Sequence, residues 1–448
     1  MPRVIRKYKG SCEIKFSTGV VLNSSFELAL SEDCRQTVTC PIEPVSEEGK
    51  RILNEKSHLE ASLSGRTEDG GAVSLSRMVL KDRNVQFDKG ALSASLFFWV
   101  ASPVEISYGQ IEERPATVTF GLLNFVFGGC DWTAIENKRI RNKFSATLGT
   151  TQFTFTHLED YDETVKRLES EGGVGLTSTI TVQTTGTQVK TIEPLVRDSL
   201  MLMSLASANF VNWLYEDTVI DGRLVLTRLP PKKVFSYYNF TSVLDCRNIP
   251  NCVLKEFMES TIGNYQQLKT KLGLGIAIEL YLASLRADYL NTRYLLLCTV
   301  LECLGSYVPA YLRENGKELP VGSISSTREK IQRILGEHLD RVNDALVADL
   351  VKELAYNSPQ TKDKLGALLD EFHVPSEEGE LQYTKIRARI VHTGDFPKGI
   401  NPLPETLKLT NLVDRIMLTI LGYRGVYLDA ANGYTAVPLP PPKPQSSQ

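Results

Sequence analysis

The spacing of apolar residues changes once along this chain, and that change limits the possible folds more than any other feature. Over residues 10–160 apolar side chains alternate with polar ones, as in Cys12, Ile14 and Phe16 and again in Phe153 and Phe155. A period of two puts alternate side chains on one face of a strand, so this part reads as half-buried β-structure. Strands are expected over 59–64, 72–80, 93–107, 116–127 and 144–156, with turns at Asp69-Gly70-Gly71 and Gly128-Gly129. Several short strands with such turns imply a sandwich or an open barrel. From Pro250 onward the period becomes three to four, the spacing of amphipathic helices, and the shift marks a domain boundary near 245–270.

Between these parts lie a charged helix over 161–171, stopped by Gly172-Gly173, and a threonine-rich strand over 176–183. A long helix is expected over 193–215, with Leu200, Met203, Leu205 and Trp213 on its core stripe, and strands over 223–229 and 233–240. The helical part begins with a polar, exposed helix over 251–272, broken at Gly273-Leu274-Gly275. Helices over 276–286 and 289–307 follow, then a loop over 309–326, and helices over 327–356 and 362–372. The last helix opens at Pro402-Leu403-Pro404, with proline where a first turn accepts it. The fold class is therefore α+β. A β-rich, sandwich-like domain spans 1–160, and a mixed region over 161–249 belongs with it. A helical bundle spans 250–430, and a proline-rich, disordered tail spans 431–448.

The 448 residues are 42% hydrophobic and 23% charged, which is ordinary for a soluble globular chain. A net charge of −3 argues against wholesale coating of nucleic acid but leaves room for a local basic site. Two basic runs stand out, Arg3, Arg6, Lys7 and Lys9, and Lys138, Arg139, Arg141 and Lys143. The eight cysteines have neither Cys-x-x-Cys nor zinc spacing, which favours reduced thiols and a cytoplasmic setting. No signal peptide is expected, and the longest apolar runs are too short to span a bilayer. Gly273 and Gly275 are not followed by Gly-Lys-Ser/Thr, so they make no phosphate loop. His157, Glu159 and Asp160 are metal-capable types in one short segment without a partner motif.

One segment carries chemistry. Tyr383, Ile386 and Ile390 recur at helical spacing, Arg387 sits at the edge of that stripe and Arg389 lies off it. His392 follows just before the Thr393-Gly394 stop. RNA supplies its own nucleophile, the 2′-hydroxyl. Histidine suits the proton transfers of such a cleavage, and arginine suits the phosphate. On a regular helix, residues five apart lie about 140° round from one another. Arg387 and His392 would share a face only if the helix unwound near Thr393-Gly394, whereas Arg389 lies about 60° from His392.

The pattern Ile-Arg-x-x-Ile-Val-His-x-Gly at 386–394 resembles the signature of HEPN domains, small helical bundles that include metal-independent endoribonucleases. The helices over 276–304, with a leucine run leading to Glu302, resemble the first long helices of HEPN domains in ApeA-like anti-phage proteins. The likeness covers roughly residues 270–425. It implies Arg387 as the phosphate-binding residue and His392 as the acid/base residue; Glu302 is a supporting candidate from the same likeness, and Arg389 is one from helical geometry, as the alternative partner of His392. It also implies RNA as substrate and a homodimer formed through the helical domain; the chemistry needs no metal or cofactor, and no membrane partner is expected. The N-terminal domain would sense a phage-derived or cellular trigger or hold the nuclease inactive. Ala388 departs from the pattern, because many active members carry a polar residue there, commonly asparagine. A second class therefore stays open: a non-catalytic HEPN-like module for dimerisation, nucleotide or partner binding. In that class His392 only caps the helix C-terminus, where a cation is favoured.

Overall fold

The structure is a computed structural model. It describes all residues except 1–2, 44, 56–58, 89–90, 136–137, 231–234, 239–241, 248–251, 318, 320–360, 376–379 and 442–448. The helix expected over 327–356 lies outside the described residues. The chain forms two compact units, Met1–Ser242 with Cys246–Glu259, and Val243–Asp245 with Ser260–Gln448.

The first unit is built on antiparallel strands, and its opening six do not make a sandwich. They are β1 (Val4–Phe16), β2 (Val21–Ser31), β3 (Gln36–Ile42), β4 (Glu60–Thr67), β5 (Ala72–Asp88) and β6 (Ala91–Val100). Their pairings run β1–β2–β3–β6–β5–β4 and return from β4 to β1, which closes a ring. The seventeen-residue β5 makes closure possible, because residues 72–79 pair with β4 while residues 78–88 pair with β6. The period-two pattern fills the interior with Ile14, Phe16, Leu28, Leu30, Val38, Leu96 and Phe98, each at most 2% exposed. Helix α1 (Glu47–Asn54) adds Ile52 to that core, and its N-cap Ser46 accepts a bond from the Gly49 N–H.

Residues 72–74 of β5 also pair with β7 (Val104–Ser107), which hands the sheet onward. The order continues through β14 (Arg223–Leu229), β13 (Asn212–Ile220), β8 (Pro115–Leu123), β12 (Leu176–Thr185), β11 (Thr151–His157), β10 (Lys138–Leu148) and β9 (Asp131–Ile135). Helix α2 spans Tyr161–Glu171 and α3 spans Val189–Ser207. The helix expected to reach residue 215 therefore stops eight residues earlier. Ala208 turns into the left-handed region at φ 54°, and Trp213 and Tyr215 lie on β13 beside β8. The alternating Asn-Trp-Leu-Tyr-Glu run suits a strand, and an available β8 edge outweighs helix propensity there. Tyr215 packs over Gly121 of β8, where a Cβ would stand 2.3 Å from the Tyr215 ring. Arg6 stacks on that ring, 3.6 Å from its centre, and grips Asp217 with two bonds of 2.6 and 2.9 Å.

Cys130 is bonded to Cys252, in contrast to the expected set of reduced thiols, and their Cα atoms are 5.8 Å apart. The other six cysteines form no disulfide, and only Cys303 among them is not buried.

Helix α4 (Val253–Leu268) is not the exposed polar helix expected. It buries Leu254, Phe257, Met258, Ile262 and Tyr265, a three-to-four period on one side. The second unit continues with α5 (Leu274–Leu285), α6 (Leu290–Glu314), α7 (Thr361–Glu371), α8 (Tyr383–Thr393) and α9 (Pro402–Ile420). Helices α5, α7, α8 and α9 all pack on α6. That helix runs through Pro309, where a loop was expected. A proline inside a helix costs about 3 kcal/mol. Burying Val308 and Leu312 offsets it at roughly 1.5–3 kcal/mol each. Among the described residues α6 is also the one helix long and apolar enough to cross a bilayer, and 44% of its most apolar window is buried in the fold. After α9, β15 (Val426–Asp429) pairs with β16 (Thr435–Pro438), so part of the stretch read as a tail is a hairpin. Asp414 of α9 is fully enclosed beside Tyr281 of α5, whose hydroxyl hydrogen-bonds its carboxylate, with Arg293 of α6 nearby.

Candidate functional site

Helix α8 forms as its spacing predicts. Tyr383, Ile386 and Ile390 are buried, and Gly394 ends the helix in the left-handed region at φ 77°. That conformation suits glycine, and its N–H bonds to Ile390 O at 2.8 Å. The end is tied to the start of α6. The Asn291 side-chain amide donates to Gly394 O, and the Tyr294 and Phe396 rings meet edge-on at 5.2 Å.

Arg387 stands half-buried against α6. Its Nε lies 2.6 Å from Glu302 Oε1 and its Nη2 donates to Glu302 Oε2 at 3.0 Å, a two-pronged pair. The structure thus brings together two of the four residues singled out in the sequence. One turn earlier on each helix stand Tyr383 and Cys298. Burial pushes the Cys298 thiol well above its usual range, and the Glu302 carboxylate adds to the effect. Burial also raises the Tyr383 hydroxyl, helped by Cys298 and Glu302. That hydroxyl is enclosed without a hydrogen-bond partner.

His392 is elsewhere. The helix stays regular through Thr393, so Arg387 and His392 point to faces about 140° apart. No unwinding turns His392 toward Arg387. His392 is exposed and has no hydrogen-bond partner among the described residues. Arg389 and Lys385 are exposed on its side of the helix. Neither has an ion-pair partner among the described residues, in contrast to Arg387. A cavity of about 480 Å³ opens beside the first half of α8, and Tyr383, Lys385, Ile386, Ile400, Lys408 and Leu409 are among its walls.

Other candidates resolve plainly. His157 is a core histidine. It stacks on Tyr161 at 3.6 Å and donates from Nε2 to Phe127 O at 3.0 Å, and burial lowers its pKa to about 4. The N-terminal basic run is consumed by ion pairs, Arg3 with Asp160, Arg6 with Asp217, and Lys7 and Lys9 with Glu27. In the second run Arg141 lies over the exposed Trp132 ring at 4.6 Å. Sequence reasoning missed the Tyr383–Cys298 layer, the cavity, and the buried Asp414. Only the last had a signal, a lone carboxylate inside the apolar run Leu412-Val413-Asp414-Arg415-Ile416. Compared with family models, curated proteins and solved structures, the chain matches none.

Proposed function

We propose that the helical unit is a metal-independent endoribonuclease of the HEPN type, acting in antiviral defence in the cytoplasm. The N-terminal unit senses the trigger or restrains the nuclease. The observation that supports this reading best is the exposed His392 at the end of α8, without a side-chain partner among the described residues and with Arg389 on the same face.

His392 takes the proton of the RNA 2′-hydroxyl, and the freed oxygen bonds to the adjacent phosphorus. The P–O5′ bond breaks, and the leaving oxygen receives a proton. The products are a 2′,3′-cyclic phosphate and a 5′-hydroxyl. A cation beside the phosphate stabilises the charge that builds on its oxygens. Arg387 serves that role once it is released from, or oriented by, Glu302. Two copies of α8 facing each other in a homodimer supply a second histidine for the leaving group.

A second reading has its own support: Arg387 is held by Glu302 on a face away from His392. On that reading the bundle is a dimerisation, nucleotide- or partner-binding module without catalysis. Cleavage of total RNA in EDTA decides between them. The ribonuclease yields cyclic-phosphate ends in the wild type and loses them in both Arg387→Ala and His392→Ala. Equal background in all three proteins, with and without infected-cell extract, refutes the ribonuclease.

A further inference from the structure

We infer that Lys385, Arg389 and His392 form a track for the backbone of single-stranded RNA, and that the cavity at its Lys385 end receives one nucleobase. This deepens the ribonuclease reading and rests on it for the choice of RNA. The three residues sit at i, i+4 and i+7 on α8, within about 60° of one another around the axis. They rise about 10 Å from first to last, so they present charge and proton chemistry along one line of the helix surface. All three are exposed, and none has an ion-pair partner among the described residues.

Lys385 belongs both to this line and to the cavity wall, which joins the two. A volume of about 480 Å³ falls within the range, about 300–1,000 Å³, of pockets that enclose small organic molecules. The wall chemistry suits a base. Tyr383, Ile386, Ile400 and Leu409 offer apolar and aromatic surface, and Gln382 and Lys408 add polar groups to the wall. The two carboxylates in the wall are already engaged. Glu405 pairs with Lys408 at 2.9 Å, and Glu380 pairs with the buried Arg415. Their charge is thus offset locally, and Lys385, without an ion-pair partner among the described residues, is the cation left to meet a phosphate. Single-strand binders elsewhere use the same combination of a cationic groove and a stacking surface.

The experiment measures RNA binding rather than cleavage, using the full wild-type chain and 2′-O-methyl RNA, which lacks the free 2′-hydroxyl that cleavage needs. A fluorescent single-stranded RNA octamer is titrated by anisotropy over a salt series. Adding Lys385→Gln and Arg389→Gln should weaken binding about tenfold at low salt. It should also flatten the slope of log K against log salt by about 1.4, since each lost contact on a single strand contributes about 0.7. An octamer with abasic positions should bind the parent more weakly than the base-bearing one. Leu409→Trp, or Ile400→Trp if the first fails to fold, should erase that difference by filling the cavity. An unchanged salt slope overturns the track, a base preference that survives filling overturns the cavity's role, and no binding of the octamer overturns both. These readouts are separate from the EDTA cleavage assay, so a failed nuclease and a failed binding track are told apart.

Discussion

Replacing Asp414 with asparagine tests the buried polar cluster of the helical unit through its pH dependence. Enclosure among α5, α6 and α9 disfavours the charged carboxylate and pushes its pKa up to about 7, from 3.8. The Tyr281 bond and the positive charge of Arg293 oppose that shift without cancelling it. One carboxylate oxygen, Oδ1, has no hydrogen-bond partner among the described residues. The folded state therefore binds this proton more tightly than the unfolded state. Stability is greatest below about pH 4, falls as pH rises from about 4 to 7, and levels off above. A rise of about three units at about 1.4 kcal/mol each bounds the loss near 4 kcal/mol, and relaxation of the site brings it to about 2–4 kcal/mol. Asparagine cannot ionise, so Asp414→Asn removes this slope. The amide's own unmatched bonds add a constant penalty of about 1–2 kcal/mol at every pH. The assay is urea unfolding of both proteins at half-unit steps from pH 4.5 to 8.5, following the helical signal. The variant should gain on the wild type by about 2–4 kcal/mol between the two ends. Parallel curves would refute the buried, proton-binding carboxylate.

Glu302→Gln removes the charged partner of Arg387. Since both side chains are partly exposed, urea unfolding should show a loss of only about 0.5–1 kcal/mol, while RNA cleavage should change far more than stability does. Ile390→Ala empties the core side of α8 and should cost about 2–5 kcal/mol by the same unfolding assay; a loss under 1 kcal/mol would mean that α8 is not anchored there. Gly121→Ala drives a methyl into the Tyr215 ring and should lower the melting temperature of the β-rich unit, with an Arg6→Ala background reducing the effect because the ring can then move. Below pH 6.5 that unit should also lose stability as pH falls toward 4, since His157 is held neutral in the fold, and His157→Phe should flatten that limb.

Much of the candidate helix was legible in the sequence. Tyr383, Ile386 and Ile390 announced its buried side, and Gly394 announced its end, because both depend on local periodicity and on one backbone conformation. The same holds for Cys12, Ile14 and Phe16 on β1, whose alternation became the inner face of the ring. The pairing of Arg387 with Glu302 was less so. Their 85-residue separation carries no spacing signal, and the likeness of the helices around Glu302 singled out that residue but not its partner.

Local pattern determined which segments are strands or helices wherever the pattern was strong, and it determined that β-rich sequence precedes helical sequence. It could not determine closure of the six-strand ring, which depends on β5 reaching two partners at once across the sheet. Nor could it determine that Trp213 and Tyr215 join β8 rather than extend α3, or that α6 continues through Pro309. In each case a non-local contact outweighed a local preference of a few kcal/mol at most. The division of α8 into a face that holds Arg387 against Glu302 and a face that leaves Lys385, Arg389 and His392 exposed has the same origin. Helical phase set the angles between these side chains, but only the packing of α6 against α8 decided which of them would be paired.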